Sequence, residues 1–138
     1  MKNKTILTSF AVIVIALLAG CSGPSTDDAQ KTLSQYVQSE SGGQMKLSSF
    51  KKTDGQKGES WGVEFYRLSY EADITFTVDG YWAGPTQNGL PFMFSKTEVN
   101  RLGVSQVHSG DHFRVAGVVV SQKSERGWSY KVESCNQM

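Results

Sequence analysis

Residues 66 to 78 read Tyr-Arg-Leu-Ser-Tyr-Glu-Ala-Asp-Ile-Thr-Phe-Thr-Val, the clearest structural signal in this chain of 138 residues. Apolar or aromatic residues occupy every second position, and polar residues from Arg67 to Thr77 fill the positions between them. Since side chains of a strand point alternately to its two faces, the pattern predicts a long, half-buried antiparallel strand. At about 3.3 Å per residue it would span about 40 Å, which favours a curved sheet or a bent strand.

The segments before this strand predict a partner strand, a turn and a bulge. Met45 to Thr53 is a strand candidate, and Asp54 to Gly58 (Asp-Gly-Gln-Lys-Gly) has the composition of a turn. Trp61, Val63 and Phe65 fall on the opposite phase of the alternation. We therefore expect a bulge immediately after residue 65, where the inward face switches.

An amphipathic helix is predicted from Thr26 to a stop at Ser41-Gly42-Gly43. Ser25 or Thr26 can cap its beginning, and two acidic residues in the first turn suit the positive end of the helix dipole. Four apolar residues share one stripe of this helix: Ala29, Leu33, Tyr36 and Val37. This stripe needs a partner face, which the strands supply.

The second half of the chain predicts a loop, a short helix and a hairpin. An aromatic loop follows Asp79-Gly80, and the Ser95 and Glu98 pair resembles a capping box for a short helix that ends at Gly103. Two strands, His112 to Lys123 and Trp128 to Ser134, are joined by a hairpin loop at residues 124 to 127. The fold class is therefore α+β: an N-terminal amphipathic helix packed on a curved antiparallel sheet of about four strands, with a short second helix.

Residues 1 to 20 have the order of a secretion signal: Lys2 and Lys4, an apolar run from Phe10 to Leu18, then small residues. The ending Leu18-Ala19-Gly20-Cys21 resembles the lipobox of bacterial lipoproteins. That resemblance implies cleavage between Gly20 and Cys21, and acylation of Cys21 by a diacylglyceryl group and usually a third, palmitate-like chain. The alternative is an ordinary signal peptide followed by a chance cysteine. The apolar stretch is too short for a comfortable transmembrane helix.

Three regions follow from this reading: a signal peptide (1–20), a lipidated tether (21–25) and a single α+β domain (26–138). Removal of the signal leaves 12 basic residues against 13 acidic ones, a formal net charge of −1 without a basic stripe, so nucleic acid is not expected as a partner. The membrane is contacted through the N-terminal lipid. Ser22 favours the outer membrane of a bacterium with two membranes, because an aspartate there resembles the signal for inner-membrane retention.

The predicted domain resembles cystatin-like and nuclear-transport-factor-like folds, in which an N-terminal helix lies in the concave face of a bent sheet. This resemblance covers most of residues 26 to 134 and rests on element order. The run from Tyr66 to Phe76 and the Gly127-Trp128 hairpin also resemble small exported bacterial proteins of unassigned function. The second resemblance implies no activity.

Each group of residues that could be catalytic or bind a metal also has a purely structural interpretation. His108 to His112 (His-Ser-Gly-Asp-His) contains possible metal ligands but reads as a polar turn entering a strand. Glu71 and Asp73 share one strand face with hydrated neighbours, which favours a solvated surface over a pair of catalytic carboxylates. Cys135 reads as a small residue of the last strand, or alternatively as a nucleophile or intermolecular bridge. We predict no catalytic residue, metal or cofactor.

The aromatic loop is the best candidate for partner contact, through Tyr81, Trp82, Phe92, Met93 and Phe94. The alternative is that these side chains cap the open end of the core. The leading hypothesis is a membrane-anchored, non-enzymatic binding or accessory lipoprotein of the cell envelope that contacts a protein or an apolar ligand. The alternatives are a nuclear-transport-factor-like pocket domain for a small ligand, which would allow catalysis, and a structural envelope lipoprotein.

Overall fold

The computed structural model describes residues 23 to 82, 94 to 95 and 104 to 138, the pair 94 to 95 by its backbone. Its elements are α1 (Thr26–Glu40), β1 (Met45–Ser60), β2 (Val63–Phe76), β3 (Gly80–Trp82), β4 (Phe94–Ser95), β5 (Ser105–Val107), β6 (His112–Ser124) and β7 (Gly127–Gln137). Within these ranges, one helix and a four-stranded antiparallel sheet fit the expected α+β class. In the described ranges, no helix has the length and apolar character to cross a bilayer.

The predicted short second helix falls mainly on residues 96 to 103, which lie outside the described residues. Ser95, its expected cap, belongs to β4. That helix stays a prediction.

The main sheet has the order β1-β2-β6-β7, and each neighbouring pair is antiparallel. Directly opposed residues of neighbouring strands point to the same side of a sheet. We call one side the helix face; on β2 it consists of Leu68, Tyr70, Ala72, Ile74 and Phe76, all buried. The opposite side, which we call the outer face, carries Arg67, Ser69, Glu71, Asp73 and Thr75 of the same strand.

Helix α1 crosses the helix face diagonally from β7 to β1. At its beginning, the backbone N–H of Ser25 donates to the Tyr130 hydroxyl on β7 at 2.9 Å. At its end, the buried Ser41 hydroxyl accepts from the Met45 N–H at the start of β1 at 3.1 Å. Ala29, Leu33 and Val37 are buried on the sheet. These contacts fix both ends of the helix to opposite edges of the main sheet.

The expected turn at Asp54 to Gly58 is wrong, because β1 continues through it to Ser60 and the chain reverses at Trp61-Gly62. The glycines serve a different purpose. A Cβ on Gly58 would lie 2.2 Å from Cζ of Phe65, and one on Gly55 would lie 1.8 Å from the Tyr66 hydroxyl oxygen. Glycine here makes room for aromatic rings from β2, which is a known use of glycine inside strands.

The expected bulge after Phe65 is also wrong. From Phe65 to Thr75, β2 pairs with β6 without interruption. The irregularities of this hairpin lie in β1, between Leu47 and Ser49 and between Lys52 and Asp54. The β1–β2 hairpin extends past the core, so its inward side no longer needs to be apolar there. This explains why the apolar residues at 61, 63 and 65 do not follow the alternation of the rest of β2.

A second, smaller sheet of order β4-β3-β5 was not expected from the sequence. It lies in the connection between β2 and β6. Its Trp82 stacks on Phe113 with ring centroids 4.7 Å apart and meets Phe76 edge-on at 5.7 Å. The small sheet therefore closes the end of the core at which β2 ends.

Candidate binding surface

The outer face combines a charged margin with an apolar middle strip. Val118 and Val120 of β6 lie on this face, opposite Ser69 and Arg67 of β2, and both are half-buried. Phe65, two residues before Arg67 on the same face of β2, is half-buried as well. Mixed apolar and charged composition of this kind occurs both on ordinary protein surfaces and on surfaces that bind other proteins reversibly.

Two ion pairs span the outer face. Arg67 on β2 reaches Glu133 on β7, and the two side chains meet across the intervening strand β6. The Arg114 Nε lies 3.7 Å from the Asp73 Oδ1. The Arg67 and Glu133 side chains are 46% and 44% exposed, so this pair adds little to stability. It remains available to a partner of either charge.

An open groove of about 510 Å³ follows β6 and β7 beside this face. Its lining mixes aliphatic, amide, hydroxyl and charged groups: Val120, Gln122, Ser129, Tyr130, Lys131, Val132 and Glu133. Strand β7 is an edge of the main sheet as far as the structure describes the chain. An edge strand next to a groove suits an extended peptide, which can add main-chain hydrogen bonds and place side chains in the groove.

Of the carboxylates that the sequence offers for acid-base chemistry, Glu71 and Asp73 lie on the outer face, whereas Asp79 follows the end of β2. Asp73 accepts a hydrogen bond from the Ser49 hydroxyl at 2.8 Å, in addition to its contact with Arg114. Asp79 accepts from the Ser109 backbone N–H at 2.8 Å in a different part of the fold. Asp73 and Asp79 therefore serve local polar contacts at separate places.

The residues predicted to contact a partner from the aromatic loop are distributed differently. Trp82 packs against the core aromatics, and Tyr81 precedes it in β3 with a half-buried side chain. Phe94 is described by its backbone in β4, and Phe92 and Met93 lie outside the described residues. Contact of this loop with a partner stays a prediction. A Trp82→Ala variant would test it poorly, because it would also remove core contacts.

The His108 to His112 segment forms the turn into β6. The His108 backbone N–H donates to the Asp111 carboxylate at 2.8 Å, and the His108 Nδ1 lies 3.8 Å from the same oxygen. Within the described ranges, no group of three or more His, Cys, Asp or Glu side chains is arranged to hold a metal ion. Asp111 therefore has a structural role, because its carboxylate accepts a hydrogen bond across this turn.

Cys135 lies under the helix rather than at the surface. It is 2% exposed and unpaired, and it shares a hydrogen bond with the Tyr70 side chain, whose hydroxyl also donates to the Ser134 carbonyl at 2.9 Å. Burial raises the pKa of the thiol, and the hydrogen bond with Tyr70 offsets only part of that rise. A thiol in these surroundings is poorly suited to act as a nucleophile.

The space between the helix and the sheet is filled by side chains. Leu33 and Val37 from α1 meet fully buried residues of three strands: Met45, Tyr70, Val115 and Val119. The other depression of note lies on the solvent side, beside Gln30, Lys31 and Leu47. The predicted alternative of a ligand pocket under the helix gains no support from this packing.

Gly20 and Cys21, the residues of the predicted cleavage and acylation site, lie outside the described residues. Comparison with protein-family models, curated proteins and solved structures found no match to this chain.

Little in the sequence indicated the apolar strip on the outer face. Val118, Val119 and Val120 are consecutive, so their period does not show which of them faces the core. The pairing of β6 with β2 decides it, because Val119 opposes the buried Leu68. The one available signal was the excess of apolar residues over the number that one face can hold.

Proposed function

We propose that this chain is a bacterial lipoprotein, acylated at Cys21, whose single domain is a non-enzymatic binding or accessory module of the cell envelope. Its location is the periplasmic side of the outer membrane where the source has two membranes. The domain binds a protein partner through the outer face and the groove beside β7. The observation that carries the proposal is this groove of about 510 Å³ next to an edge strand.

The surface chemistry supports a peptide or protein ligand. The groove offers Val120 for apolar contact, Gln122 and Ser129 for hydrogen bonds, and charges of both signs from Lys131 and Glu133. Such variety matches a polypeptide better than a uniformly charged polymer. The mature chain carries 12 basic and 13 acidic residues, so its net charge is close to zero. This near balance also favours specific contacts over long-range electrostatic attraction.

Site-specific photocrosslinking in intact cells tests the binding surface. p-Benzoylphenylalanine is placed at Gln122 or at Ser129, which are exposed in the groove, and separately at Gln38, which is exposed on α1. We expect the same crosslinked species from both groove positions and none from Gln38. If the groove positions give no crosslinked protein, or if Gln38 gives the same species, the proposed surface is wrong.

Fractionation tests the anchor. The wild-type chain should sediment with membranes and carry the mass of its acyl groups, because two or more chains give stable anchoring. A Cys21→Ser variant should lose both properties. A wild-type chain that lacks acyl groups would contradict the lipoprotein proposal, whatever the crosslinking result.

A further inference from the structure

The turn between β1 and β2 exposes a tryptophan that the fold does not use. Trp61 is 101% exposed, and the neighbouring Val63 is 39% exposed. We call Ser60 to Val63 the hairpin tip. Trp61 and Gly62 have φ angles of 53° and 76°, as in a two-residue turn of type I′, where asparagine is favoured at the first position and a bulky residue is not. Neither core packing nor turn geometry explains a tryptophan here.

The hairpin tip lies at the same end of the molecule as the beginning of α1. Ser25 is hydrogen-bonded to Tyr130 of β7. Tyr130 lies opposite Ser121 of β6, and Ser121 lies opposite Tyr66 of β2, so these residues are at one level of the sheet. From that level, Trp61 is five residues further along the hairpin, about 16 Å at about 3.3 Å per residue. The end of the domain that carries the proposed lipid anchor therefore also carries the exposed tryptophan.

The reach of the tether matches the height of the hairpin tip. Ser25 is four Cα–Cα steps from Cys21, so Cys21 lies no more than about 14 Å from Ser25. When the tether runs along the strands, Cys21 ends about 2 Å short of the level of Trp61. An acyl chain embedded in a bilayer would then hold the hairpin tip at the lipid surface.

Charge does not oppose this contact. Around the two neighbouring hairpin ends, residues 57 to 64 and 123 to 126, the three basic side chains (Lys57, Lys123 and Arg126) balance the three acidic ones (Glu59, Glu64 and Glu125). Lys123 and Glu64 pair at 3.0 Å. Hairpin ends without net charge are neither repelled by anionic lipid nor dependent on it, so their contact would rest on the indole ring, which prefers the membrane–water interface.

We infer that the hairpin tip is a second membrane contact, in which Trp61 enters the headgroup region of the bilayer that holds the lipid anchor. This inference rests on the proposed acylation of Cys21. One tryptophan alone binds a bilayer weakly, but the anchor keeps it at high local concentration, so a small gain suffices to orient the domain. The outer face and its groove would then stand at a fixed angle to the membrane.

Fluorescence quenching in vesicles tests the inference with the acylated full-length mature chain. The protein is reconstituted in phosphatidylethanolamine and phosphatidylglycerol with or without brominated acyl chains, which quench only indoles at the bilayer. The chain has three tryptophans, so we expect a loss of roughly one third of the emission. Trp61→Asn should abolish this loss and leave the thermal midpoint equal or higher, because asparagine suits the turn. Trp61→Phe should keep the hairpin tip in contact with the bilayer. A fluorescent label on the cysteine of Glu59→Cys would then stay protected from quenching by acrylamide.

A matched control removes a different indole. Trp82→Phe replaces the ring that stacks at the opposite end of the core, so the brominated lipid should still quench the remaining emission. Equal quenching of the wild type and Trp61→Asn, or no quenching of an acylated wild type, overturns the inference and leaves the lipoprotein proposal standing. A chain without acyl groups contradicts both.

Discussion

At the scale of single residues, Cys135 shows how burial sets reactivity. The thiol is 2% exposed beneath α1, and burial raises its pKa. In the folded mature chain it should react with Ellman's reagent at pH 8 about a thousandfold more slowly than in urea, because the thiol is reached only when the structure opens. Unfolding should release one thiol per chain if Cys21 is acylated. Rapid reaction in the native state would contradict the burial described here.

The hydroxyl of Tyr130 is a second residue with a defined task, since it accepts the Ser25 N–H at the beginning of α1. Tyr130→Phe removes the acceptor and should lower the free energy of unfolding by about 1 kcal/mol. Tyr66→Phe is the matched control. It removes a bond from the exposed Lys52 amine, and its cost should stay below about 0.5 kcal/mol. Urea unfolding of both variants makes the comparison, and equal costs would show that Tyr130 does not hold the helix.

At the scale of the elements, the pairing of β6 with β7 depends on a close approach at Gly117. A Cβ at this position would lie 2.0 Å from the Ser134 carbonyl oxygen and 2.7 Å from the Tyr70 hydroxyl. This carbonyl is part of the β7 backbone, next to a register shift in the pairing with β6. A backbone atom cannot move aside as easily as the end of a side chain. Gly117→Ala should therefore cost about 2 kcal/mol or more of unfolding free energy.

Gly58→Ala is the informative comparison for that prediction. Its added Cβ would meet the far end of the Phe65 ring, which can rotate away on the exposed part of the hairpin. We expect a cost below about 1 kcal/mol, measured by the same thermal or urea unfolding. A larger loss for Gly58→Ala than for Gly117→Ala would contradict the distinction between side-chain and backbone obstruction.

The elements also show which parts of this fold are readable from the sequence. The alternation from Tyr66 to Phe76 predicted the half-buried strand, because one face of β2 packs on a core and periodicity is a local property. The glycines at 55 and 58 misled the interpretation, because a turn and an aromatic cross-strand contact select the same residue. Register decides between these uses, and register depends on residues far away in the chain.

The candidate surface was less predictable than the fold for a related reason. The ion pair of Arg67 with Glu133 joins residues 66 positions apart, and no local pattern connects them. Composition left Trp82 either as a partner contact or as a cap of the core, and its stacking on Phe113 depends on a strand that comes later in the chain. Surface sites of this kind are assembled by strand order, so composition names the residue types without placing them.

At the scale of the whole molecule, one cluster of two buried residues and the half-buried Tyr36 connects the helix with two strands. Tyr36 comes from α1, Tyr70 from β2 and Cys135 from β7. Burial is the main cause of the raised pKa of each group, and for Tyr36, where Glu40 and Cys135 add to the effect, the pKa rises to about 12. The packing of these elements therefore disfavours ionisation of all three groups.

Alkaline pH should therefore unfold the domain as a unit. The unfolded chain releases its thiol proton near pH 9 and its tyrosine protons near pH 10, whereas the folded chain retains them. The unfolded state is thus favoured as pH rises above about 9, and for Tyr36 the loss of stability continues to about pH 12. Urea midpoints measured from pH 8 to 11 should fall steadily above pH 9. Tyr36→Phe should make the decline above pH 10 shallower. An unchanged slope in Tyr36→Phe would show that ionisation of this cluster does not limit stability at high pH.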